Sequence, residues 1–134
     1  MRFEDLKVGM SYEMKRAFTM EEEKQFASLS YDTNPIHLDA EYAKNSLFGQ
    51  LIVPGFLTGS LFSAIIGARF PGEGSIYLNQ MMNFRSPVYL DQEITAVVSV
   101  KELYPEKHRV LLDTYCHDES GKILIEGTAL VKLP

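Results

Sequence analysis

The chain has 134 residues and a mass of 15.2 kDa, which is the usual size of one domain, so we expect a single domain over residues 1–134. Hydrophobic residues make up 46% of it, enough to form a core without a metal or disulfide staple. Thirteen Lys and Arg residues against eighteen Asp and Glu residues give a net charge of −5, which argues against nucleic-acid binding because that function needs a clustered basic surface.

The N-terminal part predicts one strand and one helix. The first fifteen residues lack the apolar run of a signal peptide. A short strand follows over Ser11–Phe18. Thr19 and Glu22 then have the spacing of a capping box, which opens a helix that ends near Leu29. The charged run Glu21–Lys24 is interpreted as the solvated start of this helix.

The next segment predicts a loop and a second short helix. Residues 31–37 are expected to form the loop, because the residue before Pro35 is biased away from helical backbone angles. Asp39 is the expected N-cap of a helix over Ala40–Asn45.

Residues Pro54–Arg69 predict the long helix of the protein, with proline suited to its first turn. Its apolar residues cover most of the circumference, so we expect the helix to be buried nearly all round. Pro, Gly, Thr and Ser interrupt the apolar stretch over residues 51–68, which makes it a poor membrane span. The sequence Pro71–Gly74 ends the segment as a turn.

The rest of the chain predicts strands joined by short turns, over Ser75–Phe84, Glu93–Tyr104, Arg109–His117 and Lys122–Leu133. Consecutive strands of this kind indicate an antiparallel meander. A sheet of about five strands and one apolar helix can bury each other only if a strongly curved sheet wraps around the helix. The expected fold class is therefore α+β with the hot-dog arrangement, in which one surface is left for a partner subunit.

The residues with the clearest chemical potential are Asp32 and His37, five positions apart on either side of Pro35. In a rigid loop this spacing can bring a carboxylate and an imidazole to one water molecule, with the carboxylate as proton acceptor. Asn34 has the donors and the acceptor to lock the loop from within. The alternative interpretation is an ordinary turn, since Asp and Asn before Pro are common turn formers.

The string Asp32-x-Asn34-Pro35-Ile36-His37 resembles the signature of the MaoC-like, or hydratase-2, family of hot-dog proteins. The similarity extends over nearly the whole chain, including residues 51–63, 74–78, 83–88 and 126–134. The resemblance is strongest to the short (R)-specific enoyl-CoA hydratases. It implies a fatty-acid or acyl-thioester function, a homodimer, and no cofactor or metal beyond the thioester substrate.

The resemblance also implies roles for individual residues. Asp32 and His37 are the expected catalytic pair that activates water, and Asn34 is expected to support them. The backbone N–H of Gly55 is expected to polarise the thioester carbonyl, which agrees with the free N–H groups and positive dipole end of a helix N-terminus. Ser63, about two turns further on, is expected to hydrogen-bond to the catalytic carboxylate.

The chain departs from the family pattern at two positions. Tyr31 stands where the family usually has Gly, and a positive φ there would strain a tyrosine. Pro54 stands where the family commonly has His; proline has no backbone N–H to donate, but Gly55 keeps its own.

The expected function is reversible hydration of a trans-2-enoyl-CoA to the (R)-3-hydroxyacyl-CoA in the cytoplasm. Three alternatives stay open: a 3-hydroxyacyl-[acyl-carrier-protein] dehydratase, a hot-dog acyl-CoA thioesterase, and a non-enzymatic acyl-thioester binding module. The remaining candidate side chains, His108, His117 and Cys116, are interpreted as structural. Met81 and Met82 are interpreted as core residues rather than as the lining of an acyl tunnel.

Overall fold

The computed structural model describes all 134 residues. Its strands are β1 (Ser11–Arg16), β2 (Ile76–Phe84), β3 (Ile94–Tyr104), β4 (Arg109–His117) and β5 (Ile123–Lys132). Its helices are α1 (Met20–Ser30), α2 (Pro35–Leu38), α3 (Ala40–Lys44) and α4 (Gly55–Ala68), with single 3₁₀ turns at Phe3–Asp5 and Pro105–Lys107.

Side-chain caps fix the starts of two helices where the sequence predicts them. The Oγ1 atom of Thr19 accepts from the N–H of Glu22 at 3.2 Å, and the N–H of Thr19 donates to the Glu22 carboxylate at 3.0 Å. This reciprocal pair is the predicted capping box, and it starts α1. Asp39 Oδ1 accepts from the N–H groups of Glu41 and Tyr42, each at 3.1 Å, and starts α3.

The prediction of a continuous loop over residues 31–37 is wrong, because α2 forms within it. Pro35 occupies the first turn of α2, where its missing N–H removes no hydrogen bond. Asn34 caps this turn, since its Oδ1 atom accepts from the N–H of Ile36 at 3.2 Å. Asn34 thus rigidifies the segment as a helix cap, and the irregular part is only residues 31–34.

The five strands form one antiparallel sheet in the order β1-β3-β4-β5-β2. The meander is confirmed for β3 to β5. It is wrong for β2, which pairs with β5 instead of the next strand in the chain. The reason is the connection over residues 85–93, which is held by several backbone hydrogen bonds, two of which fix its path past α4. Val53 N–H donates to Val88 at 2.7 Å and Asp91 N–H donates to Phe18 at 2.8 Å, so the chain passes the start of α4 and reaches the opposite side of the sheet.

The core lies between α4 and the concave face of the sheet. The inward side of α4 contributes Phe62, Ile65 and Ile66, all fully buried. They belong to one cluster of 22 buried residues that also contains the inward residues of β3, β4 and β5. A curved sheet around one long helix is the hot-dog arrangement that the sequence predicts, and the prediction is confirmed.

The prediction that α4 is buried nearly all round is wrong for the single chain. One side of α4 faces outward, and the residues exposed along it are Phe56, Ser60, Ser63, Ala64, Gly67 and Ala68. One five-stranded sheet covers only one side of a helix, so the other side stays open unless a second molecule covers it. None of the helices combines the length and the apolar character needed to cross a bilayer.

Candidate active site

The C-terminus of α1 aims the aspartate of the signature. Tyr31 follows the helix with φ 63° and ψ 13°, in the left-handed region, and its N–H donates to Ala27 at 2.9 Å. Positive φ is therefore required at Tyr31, as the family's preference for glycine suggested, and the tyrosine accepts that strain. After this bend, Asp32 Oδ1 accepts from the N–H of Asn34 at 3.2 Å, which fixes the carboxylate at the end of the helix.

His37 is held in one orientation from behind. It lies on α2 with only 10% of its side chain exposed, and its Nδ1 atom lies 2.8 Å from the carbonyl oxygen of Ile52. A carbonyl can only accept, so Nδ1 carries the proton of the neutral ring. Nε2 consequently presents a lone pair, which faces the Asp32 side.

The structure brings the two predicted catalytic side chains together. Asp32 Oδ2 and His37 Nε2 are 4.0 Å apart, which is too far for a direct hydrogen bond. A water about 2.8 Å from each atom would bridge them, with an angle of about 90° between the two contacts that a water can serve through slightly bent hydrogen bonds. The Asp32 side chain is 42% exposed, so solvent reaches this gap.

Gly55 stands at the tip of α4 with its N–H free. Pro54 precedes it as an N-cap with no side-chain hydrogen bond, and the N–H of Gly55 donates to no other group in the chain. Gly55 is connected to the predicted catalytic pair through Ile52, three residues earlier, whose carbonyl holds His37. A Cβ atom at Gly55 would collide with the ring of Phe84 on β2, so only glycine fits under that ring.

A cavity of about 320 Å³ opens beside the tip of α4. Gly55, Thr58 and Phe84 line it together with other mostly apolar residues. Neither Asp32 nor His37 is among its lining residues. An apolar cavity next to a free backbone donor can hold an acyl chain whose carbonyl points at that donor.

The predicted supporting residues have different environments. Asn34 contacts the site directly through its backbone, since its N–H binds the Asp32 carboxylate. Ser63 lies on the outward side of α4, exposed, and its hydroxyl makes no hydrogen bond within the chain. The predicted contact between Ser63 and Asp32 is therefore not formed in the single chain.

The sequence analysis missed Glu23. The run Glu21–Lys24 is solvated only in part: Glu21 and Lys24 are exposed, and Glu22 pairs with Arg16. Glu23 is fully buried, and neither of its carboxylate oxygens has a hydrogen-bond partner. Burial, with a further contribution from the charge of Asp32, raises the pKa of Glu23 to about 7. The helical period gives the signal, because Glu23 lies on the same side of α1 as Phe26 and the buried Ala27.

The side chains interpreted as structural have structural surroundings. His108 stacks on Phe3 with ring centroids 4.9 Å apart, and His117 lies next to the Asp118 carbonyl oxygen. Cys116 is fully buried in the core, and burial raises the pKa of its thiol to about 12, so the reactive thiolate does not form near neutral pH.

Known proteins resemble this chain over almost its full length. An (R)-specific enoyl-CoA hydratase of Rhodospirillum rubrum is 41% identical over 132 residues, which is 98% of this chain and 91% of that protein. A mitochondrial 3-hydroxyacyl-[acyl-carrier-protein] dehydratase of Solanum lycopersicum is 39% identical over 131 residues, 96% of this chain and 78% of that protein. The solved structure of an (R)-hydratase from A. caviae involved in PHA biosynthesis has a TM-score of 0.93 and 41% identity, covering 96% of this chain and 98% of that one. The MaoC-like domain matches residues 4–115, and the chain belongs to this family.

Proposed function

We propose that this protein is a hydro-lyase that reversibly adds water to a trans-2-enoyl-CoA, giving the (R)-3-hydroxyacyl-CoA. The observation that carries the proposal is the 4.0 Å gap between Asp32 Oδ2 and His37 Nε2, open to solvent and connected through Ile52 to the free N–H of Gly55. The 41% sequence identity to an (R)-specific enoyl-CoA hydratase supports the proposal. The reaction needs no cofactor beyond the thioester.

The two side chains hold the attacking water through both of its hydrogens. Asp32 is an acceptor as a carboxylate, and His37 is an acceptor at Nε2 because Ile52 fixes the proton on Nδ1. With both hydrogens engaged, a lone pair of the water oxygen is left for carbon 3 of the enoyl group. This arrangement orients the nucleophile before the reaction, so that less entropy is lost in reaching the transition state.

The tautomer of His37, with its proton on Nδ1, gives Asp32 and His37 different roles. Asp32 takes one proton from the water as its oxygen bonds to carbon 3, and returns that proton to carbon 2. His37 keeps the other hydrogen of the water in place, and that hydrogen becomes part of the product hydroxyl. Dehydration uses the same groups in reverse order.

Gly55 stabilises the charge that develops on the thioester oxygen. As water adds, the carbonyl becomes enolate-like, and a free N–H at the positive end of α4 is the donor suited to it. The 320 Å³ cavity beside Gly55 provides the space for the acyl chain.

The test is turnover of crotonyl-CoA by variants of the pair. We expect Asp32→Asn and His37→Ala each to lower kcat by about 10³-fold, the range of a lost acid–base group. Asp113→Asn and His117→Ala are matched controls on β4 and should keep wild-type rates, and circular dichroism should show that all four variants fold. Wild-type turnover by Asp32→Asn would remove the assignment.

The substrate carrier and the bond that water attacks are decided by the same assay. We expect the coenzyme A thioester to be preferred over a carrier-protein thioester, because the chain is 41% identical over nearly its full length to an (R)-specific enoyl-CoA hydratase. Loss of the enoyl absorbance band without release of free thiol supports hydration. Release of thiol would instead support a thioesterase, and binding without turnover would support a binding module.

The proposal includes a homodimer formed through β2. This strand is at the edge of the sheet, and apolar side chains along it are exposed, Ile76, Leu78, Met81 and Phe84 among them. The outward side of α4 is open next to it, with Phe56 in contact range of Phe84, the ring centroids being 6.1 Å apart. An edge strand and an apolar helix face are the kind of surface that a second copy covers.

Sedimentation equilibrium tests the dimer. A mass about twice the 15.2 kDa of one chain is expected for the wild type. Leu78→Glu should shift the protein to the single-chain mass, because it places a charge in the proposed interface. Leu47→Glu, at an exposed leucine outside β2, should not. A wild-type protein that stays at 15.2 kDa at high concentration would contradict the dimer.

The proposed location is the cytoplasm, where acyl-CoA thioesters are available. The free, buried Cys116 agrees with a reducing compartment.

A further inference from the structure

Glu23 is a buried acid that the mechanism above does not use. Its side chain has no exposed surface, and neither carboxylate oxygen has a hydrogen-bond partner. An ionised carboxylate in such a place has lost its hydration without gaining donors, which is strongly unfavourable. Burial therefore favours the neutral, protonated form of Glu23, and any nearby negative charge favours that form further.

The surroundings of Glu23 connect it to the catalytic pair. Glu23 is on the inward side of α1 with Ala27, and the helix ends one turn later at the bend that presents Asp32. The helix packed against α1 is α2, whose only titratable side chain is His37. The nearby cation on the preceding segment, Arg16, is already paired with Glu22.

Asp32 is therefore the charged group that acts on Glu23, and His37 is the one titratable side chain of the neighbouring helix α2. The negative charge on Asp32 disfavours a second negative charge at Glu23, in addition to the effect of burial, and the pKa of Glu23 is raised to about 7. At pH 6, Glu23 is mostly neutral and adds no negative charge beside Asp32. Above neutral pH, Glu23 ionises and adds a negative charge that acts on Asp32.

We propose that Glu23 is a positioning residue that acts through Asp32. As a neutral acid, Glu23 leaves the Asp32 carboxylate as the single anion of the site. When Glu23 ionises, the reaction becomes slower. This role rests on the proposed hydratase function. The added charge makes the Asp32 carboxylic acid formed in the reaction a weaker proton donor to carbon 2, and it opposes the negative charge that grows on the thioester oxygen.

The coupling between the two carboxyls is tested without any turnover. Carboxyl-carbon NMR of the wild type should show one glutamate titrating near pH 7, and the signal should be absent in Glu23→Gln. In Asp32→Asn the pKa of Glu23 should fall, because the neighbouring negative charge has been removed. A Glu23 signal that titrates at the ordinary glutamate value, or that ignores Asp32→Asn, overturns the proposal even if the protein is an active hydratase.

The role of the coupling is tested by the pH dependence of kcat for crotonyl-CoA. Wild-type kcat should fall as pH rises through about 7, while Glu23→Gln, which keeps the shape of the neutral acid, should stay active. At pH 8.5 we expect Glu23→Gln to be roughly tenfold faster than the wild type, and at pH 6 the two should be within about twofold. Glu21→Gln removes the same charge from the exposed side of α1 and should retain the wild-type profile.

Glu23→Leu separates an electrostatic role from a purely structural one. It fills the site without an acid, and it should show the same flat alkaline limb as Glu23→Gln if neutrality is what matters. Profiles of both variants that follow the wild type would overturn the proposal. If the wild type does not turn over any enoyl thioester, the hydratase function fails, and the NMR titration still decides whether Glu23 and Asp32 are coupled.

Discussion

Helices α1 and α4 depart from the pattern of an ordinary surface helix in opposite ways. α1 starts with a complete capping box and buries an acidic side chain, Glu23. α4 starts without a side-chain cap and exposes a large apolar one, Phe56, at 70%. The proposed catalytic pair, Asp32 and His37, lies on the segment between the end of α1 and the start of α4.

The missing cap of α4 and the buried acid of α1 each lower local stability at a place where we propose a function. An uncapped α4 keeps the N–H of Gly55 available for a substrate oxygen, and its open side is available to a second copy. The buried acid on α1 provides a charge that can be switched beside Asp32. Violations of packing and capping rules are expected at functional sites. In this protein the buried acid of α1 and the uncapped start of α4 lie on either side of the segment that carries Asp32 and His37.

The largest expected effect on stability separates the two sides of α4. Phe62→Ala removes a fully buried ring from the inward side and should lower the free energy of unfolding by about 3–5 kcal/mol. Phe56→Ala removes a ring from the outward side and should act through association. In urea titrations at several protein concentrations, the effect of Phe62→Ala should be constant, and that of Phe56→Ala should shrink on dilution, because the wild type then loses its own stabilisation by association. Equal losses from both variants at every concentration would contradict two distinct sides.

The next effect tests the buried acid of α1. The pKa of Glu23 is about 7 in the folded chain against an ordinary value of 4.5, so between these values the folded state holds a proton that the unfolded state has released. Its contribution to stability is full below pH 4.5 and is lost as pH rises to about 7, by an amount on the order of 3 kcal/mol.

Glu23→Gln should remove this pH dependence. At pH 8 the variant should be more stable than the wild type by up to about 3 kcal/mol, and at pH 4.5 the two should be similar. Urea unfolding at both pH values measures it, with Glu21→Gln as the exposed control. If the difference in free energy of unfolding between the wild type and Glu23→Gln is the same at pH 4.5 and pH 8, the pKa of Glu23 is not raised in the folded chain.

The smallest effect concerns the ends of the two helices. α1 ends with Tyr31 at positive φ, whereas α4 ends at Arg69 with φ −123°. The Tyr31 side chain is 88% exposed and contributes little packing, so Tyr31→Gly should relieve strain and raise the free energy of unfolding by about 1 kcal/mol. Arg69→Gly, at a residue without that strain, should not stabilise the protein. A destabilised Tyr31→Gly would mean that the exposed ring makes contacts, for example with substrate or a partner.

The sequence predicts those parts of the fold that local chemistry decides. Thr19 with Glu22 and Asp39 each mark a helix start because a side chain meets backbone donors a few residues away. The alternating apolar residues of β3 to β5 mark strands for the same local reason. The position of β2 beside β5 was missed because strand periodicity does not specify which neighbour a strand takes.

The candidate site divides along similar lines. The resemblance placed Asp32 and His37 together because a short, proline-stiffened segment leaves them few alternatives, and the 4.0 Å separation agrees. The role of the Ile52 carbonyl was not predictable, because it comes from a segment fifteen residues away. Glu23 was missed because a run of charges was taken as solvated, although Phe26 and Ala27 already indicated the inward side of α1.

The 4.0 Å separation has a consequence for the handedness of the product. Two acceptors on one side of a bound water turn both of its lone pairs toward the opposite side. With the thioester oxygen anchored at the tip of α4, the planar double bond can offer just one of its two faces to that direction. Stereochemical selection in this protein would then follow from where two acceptor atoms sit relative to one backbone donor, with no steric wall needed against the mirror-image approach.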